Sequence, residues 1–400
     1  MKFENRRSAG IKASPSMAIA MAAKALRAQG RDIIDLSLGE PDFEPPANVS
    51  EAASSAVRSG CIRYGLAAGS ESLRRAIAAK FRRDNGLEYG LDEITVANGA
   101  KQILFDVFMA TLEPGDEVII PTPCWVSYGD IVTLHGGVPV YVPCAQEDGF
   151  KLSDEALRAA MTPRTRWLML NSPSNPTGAI HSRQDYQALE QVLLEYPEVL
   201  VLSDEIYEHI LLGNERFISF ASACPALRER TLLVNGVSKA YAMTGWRVGY
   251  AAGPKALIAA INKMQSQSVT SVCGVAQAAA VAALEGDQEF VTSSAATFAR
   301  RAKIISDGLA GIEELSYVPP AGAFYAFIGV ERLLGRAAPG GAVLNSDSDL
   351  ANYLLEAFGL SSVPGQAFNA PGFIRLSIAA SDADLAQACV RLIKMVKSLS

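Results

Sequence analysis

Within Leu233-Val-Asn-Gly-Val-Ser-Lys-Ala-Tyr-Ala-Met-Thr-Gly-Trp-Arg-Val-Gly-Tyr250, a lysine, a serine and an arginine fall close together, and their types suit covalent chemistry beside an anion. The run Leu232-Leu-Val-Asn235 reads as a buried strand, so Lys239 emerges at a strand end in an apolar setting. Such a setting disfavours the ammonium form and lowers a lysine's pKa, which frees the amine to act as a nucleophile. Ser238 adds a hydroxyl and Arg247 a fixed cation, a pair suited to a phosphate. A Schiff-base lysine beside a phosphate site points to pyridoxal 5'-phosphate (PLP). The plainer alternative is a surface lysine after a strand, near a structural arginine.

Other segments carry groups of the same kind. Val199-Leu-Val-Leu-Ser-Asp-Glu-Ile-Tyr-Glu208 runs from an apolar strand onto Asp204. A carboxylate there could hold a proton on a pyridine nitrogen, and Tyr207 could hydrogen-bond a phenolic oxygen. Its alternative is a helix N-cap at Ser203 or Asp204. Asn171-Ser-Pro-Ser-Asn-Pro-Thr-Gly178 is a proline-fixed loop in which Asn175 can offer an amide, or simply a tight turn. Val96-Ala-Asn-Gly-Ala-Lys-Gln102 leaves a strand and opens a helix, so the amides of Gly99, Ala100 and Lys101 could face an anion. Trp125 offers a flat ring for stacking or for the core. Arg375 interrupts the apolar run Phe373-Ile-Arg-Leu-Ser-Ile378, and a buried arginine calls for a carboxylate, either a substrate's or an internal partner's.

These groups need a scaffold that collects strand ends. Strands are expected near 94–97, 117–120, 138–142, 166–170, 199–202, 231–235 and 248–251, alternating with helices near 100–112, 125–135, 153–160, 182–195 and 254–264. That alternation predicts an α/β fold with a parallel sheet between helices, and its pocket lies beyond the carboxyl ends of the strands. Amphipathic helices are expected over 16–29 and 70–85, with a short strand at 33–36 before the loop 37–43. After about residue 290 come a long helix, the run 324–328 and short strands near 361–363 and 373–378, while 334–348 reads as a surface loop. This divides the chain into a large domain over 48–290 and a smaller α+β domain formed by 291–400 with the arm 1–47.

The chain has 400 residues with a net charge of −6. That balance leaves no electrostatic footprint for nucleic acid or an anionic membrane. Six cysteines are scattered without a Cys-x-x-Cys pair and there are three histidines, which speaks against a structural metal site and for a reducing compartment. No signal-peptide pattern or bilayer-length apolar run is present, so the expectation is a cytoplasmic protein.

Gly39-Glu-Pro-Asp-Phe43, the Asn-Pro-Thr-Gly loop, Ser203-Asp-Glu-Ile-Tyr207, Ser238-Lys239, Gly245-Trp-Arg247 and Arg375-Leu-Ser377 together resemble the class I aminotransferases of PLP fold type I, in the prokaryotic aspartate aminotransferase branch. The resemblance runs from Lys12 to the C-terminal helix. It implies that Lys239 carries the cofactor and moves the substrate's proton, and that Asp204 pairs with the pyridinium nitrogen. Tyr207 and Asn175 would contact the phenolic oxygen and Trp125 would stack on the ring. Gly99, Ala100, Ser238 and Arg247 would hold the phosphate. Tyr64 would reach the phosphate of a neighbouring subunit, which implies a homodimer with shared sites. Arg375 would bind the α-carboxylate with Gly39 near it, and Lys101, Ser14 and Ser16, with Lys12 close by, would meet a distal carboxylate. Ala13, Ser16 and Cys124 stand where proline, threonine and tyrosine are usual.

The implied reaction is transfer of the amino group from aspartate to 2-oxoglutarate, with prephenate as a further acceptor. Aminotransfer on aromatic or other amino acids, and β-elimination by a C–S lyase of the same fold, use the same lysine chemistry. A PLP-binding regulatory module would need an added DNA-binding segment, and only Met1 to Ile11 precede Lys12.

Overall fold

The structure is a computed structural model that describes residues 3–5, 8–11, 15–61 and 63–400. Its centre is a seven-stranded sheet of β1 (Ile94–Ala97), β2 (Glu117–Thr122), β3 (Val138–Pro143), β4 (Thr165–Asn171), β5 (Leu200–Asp204), β6 (Thr231–Gly236) and β7 (Gly249–Ala252). The spatial order is β1-β7-β6-β5-β4-β2-β3. All neighbours pair in parallel except around β7, which runs antiparallel to both β1 and β6. The alternation of elements predicts parallel strands throughout, and β7 departs from it for a plain reason. Only the segment 237–248 joins it to β6, and its one helical piece is the single turn Thr244–Trp246. A parallel return needs a longer crossover, usually a helix.

Strand residues alternate between two buried layers, as a sheet covered on both faces requires. Ile119, Leu168, Leu170, Val201 and Leu233 join one cluster with residues of the helices Ala47–Arg58, Glu71–Lys80, Arg183–Leu194 and Gly274–Glu285. Val118, Ile120, Trp167, Met169, Leu202, Leu232 and Val234 join the other with Ala100–Thr111, Tyr128–Leu134 and Lys255–Ser268. The long strand runs are therefore apolar on both sides, and polar residues gather at their ends.

A second sheet is built from β8 (Ser316–Tyr317), β9 (Tyr325–Gly329), β10 (Val363–Pro364) and β11 (Phe373–Ser377), in the antiparallel order β10-β11-β9-β8. Its core draws on Phe298, Ile305, Phe324, Ile374, Leu376, Leu385 and Met395, from the long helix Glu289–Leu309, the sheet and the final helix Asp382–Ser398. The two-residue strand Ile34–Asp35 pairs with Leu360–Ser361 and so binds the N-terminal segment to this part. Arg301 reaches Asp42 with both terminal nitrogens, at 2.7 and 2.8 Å, and fixes the 37–43 loop from below.

Three helices depart from the expected pattern. Ala47–Arg58 and the alanine-rich Gly274–Glu285 pack on each other, and Asp347–Phe358 begins inside the stretch read as a loop, behind the Ser346 cap. The helix expected over 70–85 is α-helical only for Glu71–Lys80, and the one expected over 125–135 begins at Tyr128. The architecture is α/β, PLP fold type I, with a mostly parallel sheet between helices and a smaller α+β part.

Candidate active site

The carboxyl ends of β2, β4, β5 and β6 open into one cavity of about 400 Å³. Because β7 runs antiparallel, its amino end lies at the same edge of the sheet, so Arg247 just before it faces the loop that carries Ser238 and Lys239. The short β6–β7 return is thus what brings a nucleophile and a cation together. Lining the cavity are Lys239, Asp204, Tyr207, Asn175, Trp125, Ser238, Arg247, Ala100, Lys101, Gly39, Arg375 and Ser16.

Lys239 is enclosed at its amine end. Its Nζ donates to the Gly39 carbonyl at 2.7 Å. Burial pushes its pKa down to about 8, the Glu40 charge opposes the shift, and Arg375 and Arg247 add to it. The neutral amine, the nucleophilic form, is therefore far more accessible near neutrality than for an ordinary lysine.

Asp204 ends β5 with its carboxylate buried. The segment after it turns without forming a helix, so the N-cap alternative is not what the residue does. The Tyr128 hydroxyl donates to Oδ2 at 2.7 Å, and the Ile206 N–H to Oδ1 at 3.2 Å. Burial raises the carboxyl's pKa to about 6, against the pull of Tyr128. The Asp204 carbonyl in turn accepts from Asn171 Nδ2 at 2.9 Å. Such a carboxylate gains from a cationic ring nitrogen placed against it.

At the opposite end, helix Ala100–Thr111 starts behind Gly99, whose φ of 83° only glycine adopts freely. The first-turn amides of Ala100 and Lys101 have no carbonyl behind them and form an anion-binding end. Gly99 differs from the expectation: its own N–H bonds the Ala97 carbonyl at 2.7 Å, because the tight turn folds it back on the strand. Its contribution is space, since a side chain there would collide with the Arg247 guanidinium. That guanidinium is anchored to the Thr244 carbonyl at 2.9 Å.

Arg375 is buried on β11. Nη1 donates to Asn175 Oδ1 at 2.9 Å and Nη2 to the Ser37 carbonyl at 2.6 Å. Nε is buried without a hydrogen-bond partner among the described residues, and the other two nitrogens meet an amide oxygen and a carbonyl, not a carboxylate. The internal salt bridge weighed from the sequence is therefore absent among those residues. An unpaired buried guanidinium is costly and ready for a ligand carboxylate. Asn175 is itself fixed through its N–H, which bonds Asn171 Oδ1 at 2.8 Å.

Lys101 stands at the mouth with its Nζ 4.6 Å from the Trp125 ring centroid. Burial against its neighbours and the charge of Arg247 lower its pKa. Ser16, in the first turn of helix Pro15–Ala28, lines the same cavity. Lys12 and Ser14 lie outside the described residues. Tyr64 is 92 % exposed, on the segment between two helices, and does not line this chain's own cavity. Sequence reasoning gave no role to Tyr128, Asn171, Thr244 or Tyr325, which line the cavity too. Asn171 heads the proline loop, Thr244 lies within the run Leu233–Tyr250, Tyr325 within 324–328, and Tyr128 three residues after Trp125, and that placement was the available signal. Asp84, Glu208 and His209 have the spacing of a metal cluster, but the Lys80 ammonium pairs with Glu208 in their midst.

The profile of the family "Aminotransferase class I and II" matches residues 31–392. This chain belongs to that family. The aminotransferase is 48 % identical over 394 residues to "Aspartate aminotransferase" of Rhizobium meliloti, covering 98 % of this chain and 96 % of the relative. It is 44 % identical over 398 residues to "Aspartate/prephenate aminotransferase" of Nitrosomonas europaea, covering 99 % and 100 %. Among solved structures, the Rhizobium meliloti aspartate aminotransferase superposes with a TM-score of 0.97 at 47 % identity, over the whole of both chains. The Thermus thermophilus aspartate aminotransferase with maleate gives 0.91 at 42 %, covering 99 % and 100 %. The enzyme's cofactor is PLP, as in its family, and the site fits that group. A buried carboxylate, an enclosed amine and an amide-rich helix start with an arginine surround one cavity of about 400 Å³. Among the described residues, no helix of the aminotransferase is long and apolar enough to cross a membrane.

Proposed function

We propose that the aminotransferase transfers the amino group of L-aspartate to 2-oxoglutarate, giving oxaloacetate and L-glutamate, and that prephenate is a second acceptor. The observation that carries the substrate class is a pair of cations, Arg375 and Lys101, that line one cavity. Arg375 is buried and unpaired among the described residues, and Lys101 stands at the mouth beside Trp125 and Ser16. Two carboxylates on one substrate match two cations, and the relatives named for aspartate support the reading.

In this reading Asp204 and Tyr128 hold the ring nitrogen's end. Tyr207 and Asn175 hold its phenolic oxygen, and Trp125 covers a face. Ala100, Ser238 and Arg247 hold the phosphate. Bound PLP supplies an electron sink that makes the α-hydrogen of an amino acid acidic. Arg375 clamps the α-carboxylate, and Asn175 keeps the guanidinium in its plane. Lys239 Nζ, neutral once released, would take the proton from the α-carbon and deliver it to the carbon on the cofactor's side, the shift that leaves the amino group with the cofactor. The fixed guanidinium aims the substrate at that nitrogen, which lowers the entropic cost of the transfer.

The division at 48–290 assigns Lys239, Asp204 and Asn175 to a large domain, and Arg375 to a small one with the arm. The exposed Tyr64 suits a homodimer in which its hydroxyl completes the partner's phosphate site. A cytoplasmic location agrees with six free cysteines.

The test is kcat/KM across an amino-acid panel with 2-oxoglutarate. Aspartate should lead it. Tyrosine, alanine or methionine far ahead of aspartate would sink the substrate assignment, and release of pyruvate and ammonia from cystathionine would favour the lyase.

A further inference from the structure

Tyr325 touches three residues of the site at once. Its hydroxyl lies 2.8 Å from the Tyr207 hydroxyl, and both groups are buried. Its ring centroid lies 4.5 Å from the Arg375 guanidinium carbon. Its hydroxyl also packs against Gly39, so closely that a side chain at residue 39 would collide with it. Gly39 in turn accepts the hydrogen bond of Lys239. The register explains the reach. Arg375 on β11 stands opposite Phe327 on β9, and Tyr325 is two residues from Phe327, so Tyr325 and Arg375 share one face of the sheet as diagonal neighbours.

We propose that Tyr325 is a positioning residue with two separable parts: its ring holds the Arg375 guanidinium flat for the α-carboxylate, and its hydroxyl sets the donor strength of Tyr207. The proposal rests on the aminotransferase reading above. A guanidinium over a ring in a desolvated site is held by the ring's quadrupole, and Arg375 lies nearest to Tyr325, with Phe368 a second ring at 4.9 Å. The direction of the tyrosine pair follows from what Tyr207 must do. If Tyr207 donates to the phenolic oxygen of PLP, its own oxygen is free to accept, and Tyr325 donates to it. A donor that itself accepts a hydrogen bond is polarised and donates more strongly.

Two variants of the holoenzyme separate the parts, read by maleate titration and by the pH midpoint of the lysine-bound cofactor's absorbance. Tyr325→Phe keeps the ring, so maleate affinity should stay within about twofold of wild type. The midpoint should rise by roughly half a unit to one unit, because Tyr207 stabilises the phenolate less. Tyr325→Leu should raise the midpoint equally and weaken maleate binding about tenfold or more. A merely structural tyrosine would move neither readout selectively. The proposal is overturned by a midpoint in Tyr325→Phe that stays put or falls, or by wild-type maleate affinity in Tyr325→Leu. A wild-type protein with no lysine-bound cofactor band would overturn the aminotransferase reading itself. A wild type with the band and unmoved variants would overturn the role of Tyr325 alone.

Discussion

Arg375 Nη1 donates to Asn175 Oδ1 across 2.9 Å, tying a strand of the second sheet to the loop that leaves β4, 200 residues earlier in the chain. The bond fixes the guanidinium plane at the point where a substrate carboxylate would meet it. Arg375→Lys keeps the charge and loses the planar fork. It should cost about 2–5 kcal/mol of transition-state stabilisation in kcat/KM for aspartate. Steady-state kinetics check this, and a variant within threefold of wild type would deny Arg375 the carboxylate.

Tyr128 is the donor that keeps Asp204 ionisable. Burial pushes the Asp204 carboxyl up to about 6, and the hydroxyl of Tyr128 pulls it back. The sign follows: Tyr128→Phe removes a force that lowers the pKa, so the carboxylate forms only at higher pH. The acidic limb of PLP affinity, titrated on the apoprotein, should move up by roughly one to two units. An unmoved limb would show that Tyr128 does not tune Asp204.

Lys101 should decide between one carboxylate and two. Lys101→Ala is expected to raise KM for aspartate by roughly tenfold while leaving KM for alanine unchanged. Equal effects on both amino acids would place Lys101 with the cofactor phosphate instead.

Away from the cavity, Lys80 is fully buried, pairs with Glu208 and donates to Asn85 Oδ1 at 2.8 Å. Burial alone would raise the Glu208 carboxyl, and the Lys80 ammonium reverses that shift. Lys80→Met leaves the carboxylate without its cation and should destabilise the fold by about 3–5 kcal/mol in denaturant titration. A loss below 1 kcal/mol would mean that the Asn85 and Asn235 amides suffice to hold Glu208.

The sequence was most legible where chemistry interrupts an apolar run. Lys239, Asp204 and Arg375 each stand at or within a hydrophobic strand, and a charged group there needs a reason. Tyr128 and Tyr325 were silent because an aromatic residue in an apolar stretch looks like core, and only the fold reveals what their hydroxyls meet. The strand alternation gave the sheet but not the direction of β7, which depends on the short return after Gly236. Helix Gly274–Glu285 was hidden by its alanines, which offer little contrast between faces. The arm is only partly placed: Ser16 reaches the cavity, whereas Lys12 and Ser14 are not described.

The central claim is that Lys239 is the amine that carries PLP. Its buried Nζ, with a pKa lowered to about 8, stands apart from the solvent-facing lysines. Borohydride reduction of the holoenzyme followed by peptide mass spectrometry tests this directly. A single reduced pyridoxyl adduct on Lys239, absent from Lys239→Ala, is the expected result. An adduct on Lys101 or another lysine, or an undiminished adduct and full transamination in Lys239→Ala, would contradict the account.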